Sequence, residues 1–487
     1  MSERDRMREA MDALRRHGDV TYAEVRYVED RQEQIRVRNG RVDGVDARDS
    51  RGVGIRVLVE GSWGFAATRG IVAEDVIAAA ERAREVAIAS ALAGGDKTQL
   101  APIEAPSVGR YETVVERDPF EVSLDEKIDL LVRATDALRG LDGAIRRSEA
   151  RMGWTRQRKI LLTSDGTDVE QTFTFGGAGM NCVAVGADGR TQRRSYPTYS
   201  DGEAGQGGYE RVLRLGLVEE AERVRVEAIE LLSADPLPAG RRTVILESSQ
   251  LALQVHESCG HPTELDRAFG TEISLAGGSF LQPSMLGTLR YGSPLVNLTA
   301  DATTPGGLGT FGWDDEGTAA SRTPLVQDGI FVGYLSSRET AARLGKRSSG
   351  SMRAEGAMRT PLIRMVNVNL EPAKNGPTLE ELIADTDDGL LIATNKSWSI
   401  DDLRLNFQFG CEAAWEIKAG KRTRILRDPV YTGITPKFWG GCDAICGASD
   451  WRLWGILNCG KGEPMQAMHV GHGTAPARFR DVEVGHG

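Results

Sequence analysis

The sequence of 487 residues lacks three features whose absence limits its class. No apolar run approaches the about 18 residues that a membrane-spanning helix needs, so no membrane association is expected. The first residues, Met1–Arg6, carry charges of both signs and lack the apolar segment of a signal peptide, which predicts a cytoplasmic protein. An excess of basic residues is also lacking, since the formal net charge is -10, and nucleic acid is therefore not expected as the main partner.

Cysteine and histidine are both scarce, with six residues of each. The cysteines are scattered over a long chain and do not form the disulfide pattern of a small secreted protein, so we expect buried residues, metal ligands or nucleophiles. Two of the six histidines, His256 and His261, lie only five residues apart. Glycine, by contrast, is abundant at 57 residues, above the average of about 7%, which suits a strand-rich fold.

Hydrophobic periodicity predicts an α+β protein with mixed, mostly antiparallel sheets, flanking helices and a strand-rich C-terminal domain. An amphipathic helix with a capping box is expected over residues 2–16, followed by alternating strands with a hairpin turn at Asn39-Gly40. An alanine-rich helix is expected from Ala73 to Leu92. The same order of helix, strands and helix is expected again after residue 123.

Proline-rich stretches set the predicted domain boundaries. The prediction is an N-terminal α+β domain at 1–100, a linker at 101–122, a middle α+β domain at 123–235 and a C-terminal domain with the candidate chemistry at 236–487. The first two domains align without gaps at an offset of 125 residues, with Arg31 matching Arg156. An internal repeat and a chance similarity in a glycine-rich chain both explain this match.

The candidate chemistry lies in the segment Val255–Pro262. A neutral imidazole is a good ligand for zinc, and the carboxylate of Glu257 beside His256 can act as a base. On a regular helix, five residues place His261 about 140° around the axis from His256, so the two rings would diverge. Our hypothesis is that the helix widens, with Gly260 permitting the wider turn and Pro262 moving His261 out of α geometry.

Two other interpretations of this segment stay open. The histidines can cap carbonyls or form hydrogen bonds in a core without any metal. Alternatively, His256 and Cys259, three residues apart on one helical face, can be the ligand pair, although a small buried hydrophobic residue is the more ordinary role for Cys259.

Further motifs lie downstream of this segment. The stretch Gly307–Gly312 matches a dinucleotide-binding pattern, but no helix pattern follows it, so a glycine-rich loop beside a substrate groove, within Gly307–Gly317, is favoured. Its acidic residues Asp314, Asp315 and Glu316 can bind a hard cation, although a solvated turn is favoured.

Cysteines and histidines near the C-terminus complete the candidates. Cys442 and Cys446 are interpreted as small buried residues. His469 and His472 follow Cys459 closely in the chain, and each can form a hydrogen bond to a ligand, stabilise an oxyanion or serve packing.

Several landmarks occur together in one order along the chain. They are His256–His261, Trp313–Thr318, Asp328–Tyr334, Asn458–Gly462 and Val470–Gly473. In this combination the chain resembles the TldD half of the TldD/PmbA (TldD/TldE) metallopeptidase family. Because PmbA/TldE subunits lack the His-Glu-x-x-x-His motif, this chain resembles the active kind.

The resemblance implies a zinc peptidase with one Zn²⁺ per active subunit. His256, His261 and Cys459 are then the zinc ligands, and Glu257 is the catalytic base. It also implies a homodimer or a heterodimer with a TldE/PmbA-like subunit, and short or unstructured polypeptides as substrates for leader-peptide trimming or degradation. The alternatives are a non-catalytic zinc-stabilised scaffold or partner, in which His469, His472 or Cys446 closes the site, and a different metallohydrolase such as an amidase.

Overall fold

The computed structural model describes residues 2–141, 143–199, 202–275 and 277–487. Helices and a larger number of strands alternate through these residues, which confirms the α+β class. Among the described residues, no helix is long and apolar enough to cross a membrane.

The first part of the chain contains two helices and four strands. Their bounds are α1 (Glu3–Arg15), β1 (Val20–Arg38), β2 (Arg41–Val59), β3 (Ser62–Thr68), α2 (Ala73–Leu92) and β4 (Val108–Glu112). Helix α1 begins with the predicted capping box, since the Ser2 hydroxyl accepts from the Asp5 N–H at 3.2 Å and the Asp5 carboxylate accepts from the Ser2 N–H at 3.0 Å. Asn39 and Gly40, with φ of 52° and 74°, form the predicted turn between β1 and β2.

The next part repeats this order with two short additional elements. Its bounds are α3 (Leu124–Arg139), β5 (Ile145–Thr163), β6 (Asp168–Val185), β7 (Thr191–Tyr196), β8 (Glu203–Gln206), α4 (Glu210–Arg214) and α5 (Leu217–Ser233). All eight strands form one sheet in the order β3-β2-β1-β5-β6-β4, with β7 and β8 also paired to β6. The two predicted α+β units therefore share one continuous sheet.

One segment of the predicted linker is a strand of this sheet. Val108–Glu112 pairs in parallel with β6, so part of the segment predicted as a linker over 101–122 belongs to the sheet. Pro102, Pro106 and Pro119 flank the strand rather than interrupt it, which is where strands tolerate proline.

The structure supports the internal repeat. Strands β1 and β5 begin and end 125 residues apart, and they pair antiparallel with Arg31 opposite Arg156, its own repeat equivalent. A pseudo-twofold axis therefore passes between these two arginines. Chance similarity does not explain why the repeat equivalents also lie at the centre of the pairing.

The two faces of the sheet have different environments, because successive side chains point to opposite sides. One face carries apolar residues that pack against α1 and α2 at one end and against α3 and α5 at the other. The opposite face carries buried charged residues, including Glu24, Arg56 and Lys159, and contacts the C-terminal part of the chain.

The C-terminal part is a strand-rich domain with short helices. Its elements are β9 (Asp235–Pro236), β10 (Gly240–Leu246), α6 (Ser248–Val255), α7 (Leu265–Ala268), β11 (Leu298–Asp301), β12 (Arg322–Gln327), β13 (Ile330–Phe331), α8 (Arg338–Arg343), β14 (Met352–Arg353), β15 (Leu362–Ile363), β16 (Val368–Leu370), α9 (Leu379–Ala384), β17 (Asp388–Ile400), β18 (Asn406–Lys418), β19 (Lys421–Arg427), β20 (Pro429–Ile434), α10 (Thr435–Gly440), β21 (Cys442–Ile445), β22 (Arg452–Lys461), β23 (Gln466–Thr474) and β24 (Ala477–His486). Two 3₁₀ turns, His261–Thr263 and Pro283–Met285, and a π-helical turn, His256–Gly260, complete it.

These strands form one large sheet and several small ones. The large sheet has the order β17-β10-β24-β20-β18-β19-β9, with β21 on β24, and an additional pairing of β17 with β18 closes five of its strands into a ring. A four-stranded sheet, β13-β12-β11-β16, and the hairpins β14–β15 and β22–β23 pack around it. Helix α6 follows β10 directly and carries the chain from this ring into the candidate site.

The acidic segment Asp314–Glu316 connects the two parts of the molecule. Lys159 Nζ lies 2.9 Å from Asp315 Oδ1, and Arg56 Nη2 lies 3.1 Å from Glu316 Oε1. Asp314, Asp315 and Glu316 are only 1–2% exposed. The expected solvated turn is therefore wrong. Basic side chains of the N-terminal sheet compensate Asp315 and Glu316, while the Asp314 carboxylate accepts from the backbone N–H groups of Glu316, Thr318 and Met352.

Candidate metal centre

The chain between α6 and Thr263 is a widened helical turn. Residues His256–Gly260 form a π-helical turn, and the His261 N–H donates to the carbonyl of His256, five residues before it. A turn that closes over five residues brings its two ends onto the same face. The His256 and His261 rings accordingly lie side by side, with centroids 4.7 Å apart, as the widened-helix hypothesis requires.

Side chains satisfy the carbonyls that this turn leaves without helical partners. The Tyr291 hydroxyl donates to the Ser258 carbonyl at 2.8 Å. The Thr263 hydroxyl lies 2.8 Å from the Cys259 carbonyl and 2.9 Å from the Gly260 carbonyl. A buried carbonyl without a hydrogen bond destabilises the folded protein, so these contacts stabilise the π-helical turn.

The predicted roles of Gly260 and Pro262 need correction. His261 keeps α-helical angles, with φ of -62° and ψ of -47°, so Pro262 does not move it out of that region. Gly260 is also in the helical region, but a Cβ atom built on it would lie 2.1 Å from Met365 Sδ. Glycine is needed here for close packing rather than for an unusual backbone conformation.

His256, His261 and Cys459 form a group that we call the ligand cluster. Their donor atoms all lie within 4.8 Å of one another, and among the described residues they are the group of histidine, cysteine and carboxylate side chains placed to hold a metal ion. Cys459 comes from β22, where its Sγ lies 3.8 Å from His261 Nε2. The structure thus brings together residues from two distant parts of the chain, since Cys459 follows His261 by 198 positions.

His472 determines which ring nitrogen of His256 is available to the ligand cluster. His472 is fully buried, and its Nδ1 lies 2.9 Å from the Val368 carbonyl, so that nitrogen must carry the proton and donate. Its Nε2 is then an acceptor for His256 Nδ1, which lies 2.8 Å away. This leaves His256 Nε2 unprotonated and available as a metal ligand.

His261 has a charged partner instead. Its Nδ1 lies 3.1 Å from Glu264 Oε2, and Glu264 in turn receives Arg267 Nε at 2.6 Å and lies 3.5 Å from Lys461 Nζ. Arg267 Nη2 also lies 3.2 Å from His261 Nδ1. If His261 held a metal ion through Nε2, the proton of its neutral ring would be on Nδ1, where it could be donated to Glu264.

Burial keeps both histidine ligands neutral, which is the state that binds a metal. It lowers the pKa of His256 to about 4, although Glu257 and Glu264 oppose the shift. Burial also lowers the pKa of His261. For the Cys459 thiol, burial raises the pKa, but the contacts with His261 and Arg364 outweigh it, so the net shift of the pKa is downward.

The donor set fits a zinc ion. Nitrogen and sulfur ligands at usual zinc distances lie about 3.6 Å apart in a tetrahedron, close to the 3.8 Å between His261 and Cys459. His469 and His472 are not in the ligand cluster, because their ring nitrogens bond to Leu457 O, Val368 O and His256. Three protein ligands are the number that catalytic zinc sites use, whereas structural zinc sites use four.

Glu257 is adjacent to the ligand cluster without belonging to it. Its Oε2 accepts from Arg404 Nη1 at 3.2 Å, and its side chain is 7% exposed against 17% for that of Arg404. A buried carboxylate next to a ligand, with an arginine on its outer side, is well placed for proton transfer.

The remaining candidates lie outside the ligand cluster. Burial raises the pKa of the Cys259 thiol, which therefore stays protonated. Burial also raises the pKa values of Cys442 and Cys446 to about 12, and both residues pack in the core. In the Gly307–Gly317 loop, the Gly309 N–H donates to Asn367 Oδ1 at 2.9 Å, so this N–H is part of loop packing and does not cradle a phosphate.

The sequence interpretation missed Glu264, Arg267, Arg404 and Lys461. Glu264 follows His261 by three residues, so the one-turn helical spacing was a signal for it. Arg404 contacts Glu257 from 147 positions away, and no local pattern marks it.

Comparisons with known proteins cover most of the chain and point to one family. Models of the PmbA/TldA metallopeptidases match residues 23–87 (domain 1), 117–232 (central domain) and 239–486 (C-terminal domain). A metalloprotease of Methanocaldococcus jannaschii is 28% identical over 473 residues, which cover 96% of this chain and 98% of that protein. A zinc metalloprotease TldD homolog of Saccharolobus solfataricus is 24% identical over 208 residues, 42% of this chain and 44% of that protein.

A solved structure has the same fold. TldE from Thermococcus kodakarensis matches with a TM-score of 0.73 and 17% identity, covering 99% of this chain and all of that one.

Proposed function

The chain belongs to the PmbA/TldD metallopeptidase family, and from this premise we propose that it is a zinc-dependent peptidase acting on short or unstructured polypeptides. The observation that carries the proposal is the ligand cluster itself, in which two buried imidazoles and a buried cysteine lie together beside the carboxylate of Glu257. The name of the Saccharolobus relative, a zinc metalloprotease, supports zinc as the metal.

In this proposal each residue has a separate role. A zinc ion held by His256, His261 and Cys459 supplies a Lewis acid and makes water easier to deprotonate. Glu257 accepts the proton of the water whose oxygen forms a bond to the peptide carbonyl carbon. It then returns that proton to the nitrogen as the C–N bond breaks.

We further propose that the active form is a dimer, either of two copies or with a TldE/PmbA-like subunit. Apolar side chains near the site support this: Ile273 and Leu403 are 67% and 47% exposed, and both lie near Gly278. Such an exposed apolar pair beside a buried site is suited to a partner surface. Light scattering of the chain alone and with a TldE-like protein from the same source tests this part.

The proposed reaction is tested by zinc analysis together with hydrolysis of an unstructured peptide, with and without chelator. Wild type should bind one zinc and lose cleavage on chelation. Glu257→Gln should retain the zinc and lose about 10²- to 10⁴-fold in kcat, because only the proton acceptor is removed. Cys459→Ala should lose the zinc.

Two results would contradict the proposal. Glu257→Gln cleaving at the wild-type rate would exclude Glu257 as the base. Cleavage that persists without metal would exclude a metal-dependent peptidase.

A further inference from the structure

Arg404 lies in the loop between β17 and β18 and has an unusual backbone conformation. Its φ is 66°, in the left-handed region that non-glycine residues adopt at a cost of about 1–3 kcal/mol. Neighbours hold it there: the Arg404 N–H donates to the Asp401 carbonyl at 2.9 Å, and the Thr435 hydroxyl donates to the Arg404 carbonyl at 3.2 Å. Glycine would fit this backbone at less cost, so the presence of arginine points to a need for its side chain.

The Arg404 side chain lies at the outer side of the candidate site. Its Nη1 is 3.2 Å from Glu257 Oε2, and at 17% exposure it is more accessible than Glu257 at 7%. Other cations of this region make different contacts. Arg364 donates to the Gln466 carbonyl at 3.1 Å, and Arg267 donates to Glu264. Among the described residues, Arg404 is therefore the cation that contacts the proposed base.

The proposed reaction places negative charge on the carbonyl oxygen of the substrate. A thiolate ligand donates more charge than an imidazole and so moderates the Lewis acidity of the ion, which makes a second electrophile useful. Arginine has five donors in a rigid plane, so one N–H can remain on Glu257 while others bond to a second oxygen.

We propose that Arg404 is a catalytic residue that holds Glu257 and donates to the scissile carbonyl oxygen as negative charge develops on it. The inference rests on the proposed function. As the water oxygen bonds to the carbonyl carbon, the C=O electron pair moves to oxygen beside the guanidinium, and the water proton goes to Glu257. Arg404 stays protonated throughout.

The test compares Arg404→Gly, which suits the left-handed backbone, with Arg404→Lys, which keeps the charge but not the planar fork. Zinc content, thermal midpoint, kcat and KM are measured with one unstructured peptide in free-acid and C-terminally amidated forms. Arg404→Gly should retain zinc and an equal or higher thermal midpoint, while kcat falls about 100- to 1,000-fold at nearly unchanged KM. The kcat of Arg404→Lys should lie between those of Arg404→Gly and wild type.

Chemical rescue separates catalysis from packing. Guanidinium ion, added well below concentrations that unfold the protein, should raise kcat of Arg404→Gly but not of wild type. Arg241→Gln is the control, because Arg241 pairs with Asp481 on the surface and both are about half exposed. Its kinetics should equal those of wild type.

Several outcomes overturn the inference. Wild-type kcat in Arg404→Gly excludes it, and a lowered thermal midpoint with loss of zinc and no guanidinium rescue indicates a structural role. A loss confined to the free-acid peptide means that Arg404 binds a terminal carboxylate instead. If wild type itself shows no chelator-sensitive cleavage, the proposed function fails rather than this assignment alone.

Discussion

Replacing His472 by phenylalanine should weaken zinc binding about 10- to 100-fold, the range usual for residues that orient a metal ligand. In the wild type, His472 accepts from His256 Nδ1 at 2.8 Å and donates to Val368 O at 2.9 Å. Phenylalanine keeps an aromatic side chain at this fully buried position but can form neither hydrogen bond.

The hydrogen bonds of His472 to Val368 and to His256 affect different quantities, so the effects of losing them can be separated. The unpaired Val368 carbonyl destabilises the protein equally with and without zinc, so it lowers the stability of the fold but not the affinity. The loss at His256 acts on zinc, because the proton is no longer fixed on Nδ1. One buried hydrogen bond of about 1–3 kcal/mol corresponds to roughly 5- to 150-fold in affinity, consistent with the range above.

The assay is competition for zinc against a chromogenic chelator, with urea unfolding of the metal-free proteins alongside. His472→Gln is the conservative variant, since its amide has an acceptor and a donor, and it should bind zinc more tightly than the phenylalanine variant. His469→Phe is the matched control from the same strand, because the Nδ1 of His469 bonds to the Leu457 carbonyl and not to a residue of the ligand cluster. Wild-type zinc affinity in His472→Phe would refute the role given to His472.

Two further predictions concern packing and charge. Gly260→Ala should lower the free energy of unfolding by about 1–3 kcal/mol in a urea titration, because the new Cβ would overlap Met365 Sδ. If the same loss is measured in a Met365→Ala background, this clash is not its cause. Asp315→Asn should cost about 3–5 kcal/mol at pH 7, because Lys159 loses its buried partner. Burial raises the pKa of Asp315, but Lys159 and Arg26 outweigh it and lower the value below 3.8, so the stabilisation is complete above that pH and lost as pH falls below it. If the difference in unfolding free energy between wild type and Asp315→Asn grows as the pH is lowered, this assignment is contradicted.

Features fixed by near neighbours were predictable from the sequence. The capping box of α1 involves residues three apart, and the turn at Asn39-Gly40 needs only positive φ at both. The widened turn was predictable for a similar reason, because five residues between His256 and His261 cannot place both rings together on a regular α-helix.

Features that depend on distant partners were not predictable. The sequence of Asp314–Glu316 alone predicts a polar turn, because its partners Lys159 and Arg56 lie 156 and 260 positions away in the chain. Strand β4 was not predictable because it is only five residues long and pairs with β6, which begins far along the chain at Asp168. Arg404 became a candidate only when the fold placed its side chain against Glu257.

The pseudo-twofold pairing of β1 with β5 has a consequence for synthesis of the chain. Residues Glu24–Arg38 pair in register with Thr163 back to Glu149, so the inner edge of β1 stays open until β5 has left the ribosome. At roughly 5–20 residues per second, this interval is on the order of ten seconds. During it the nascent first half presents an unpaired strand whose partner β5 is its own repeat equivalent, so on crowded polysomes the exposed strands of neighbouring nascent chains carry a risk of pairing with each other.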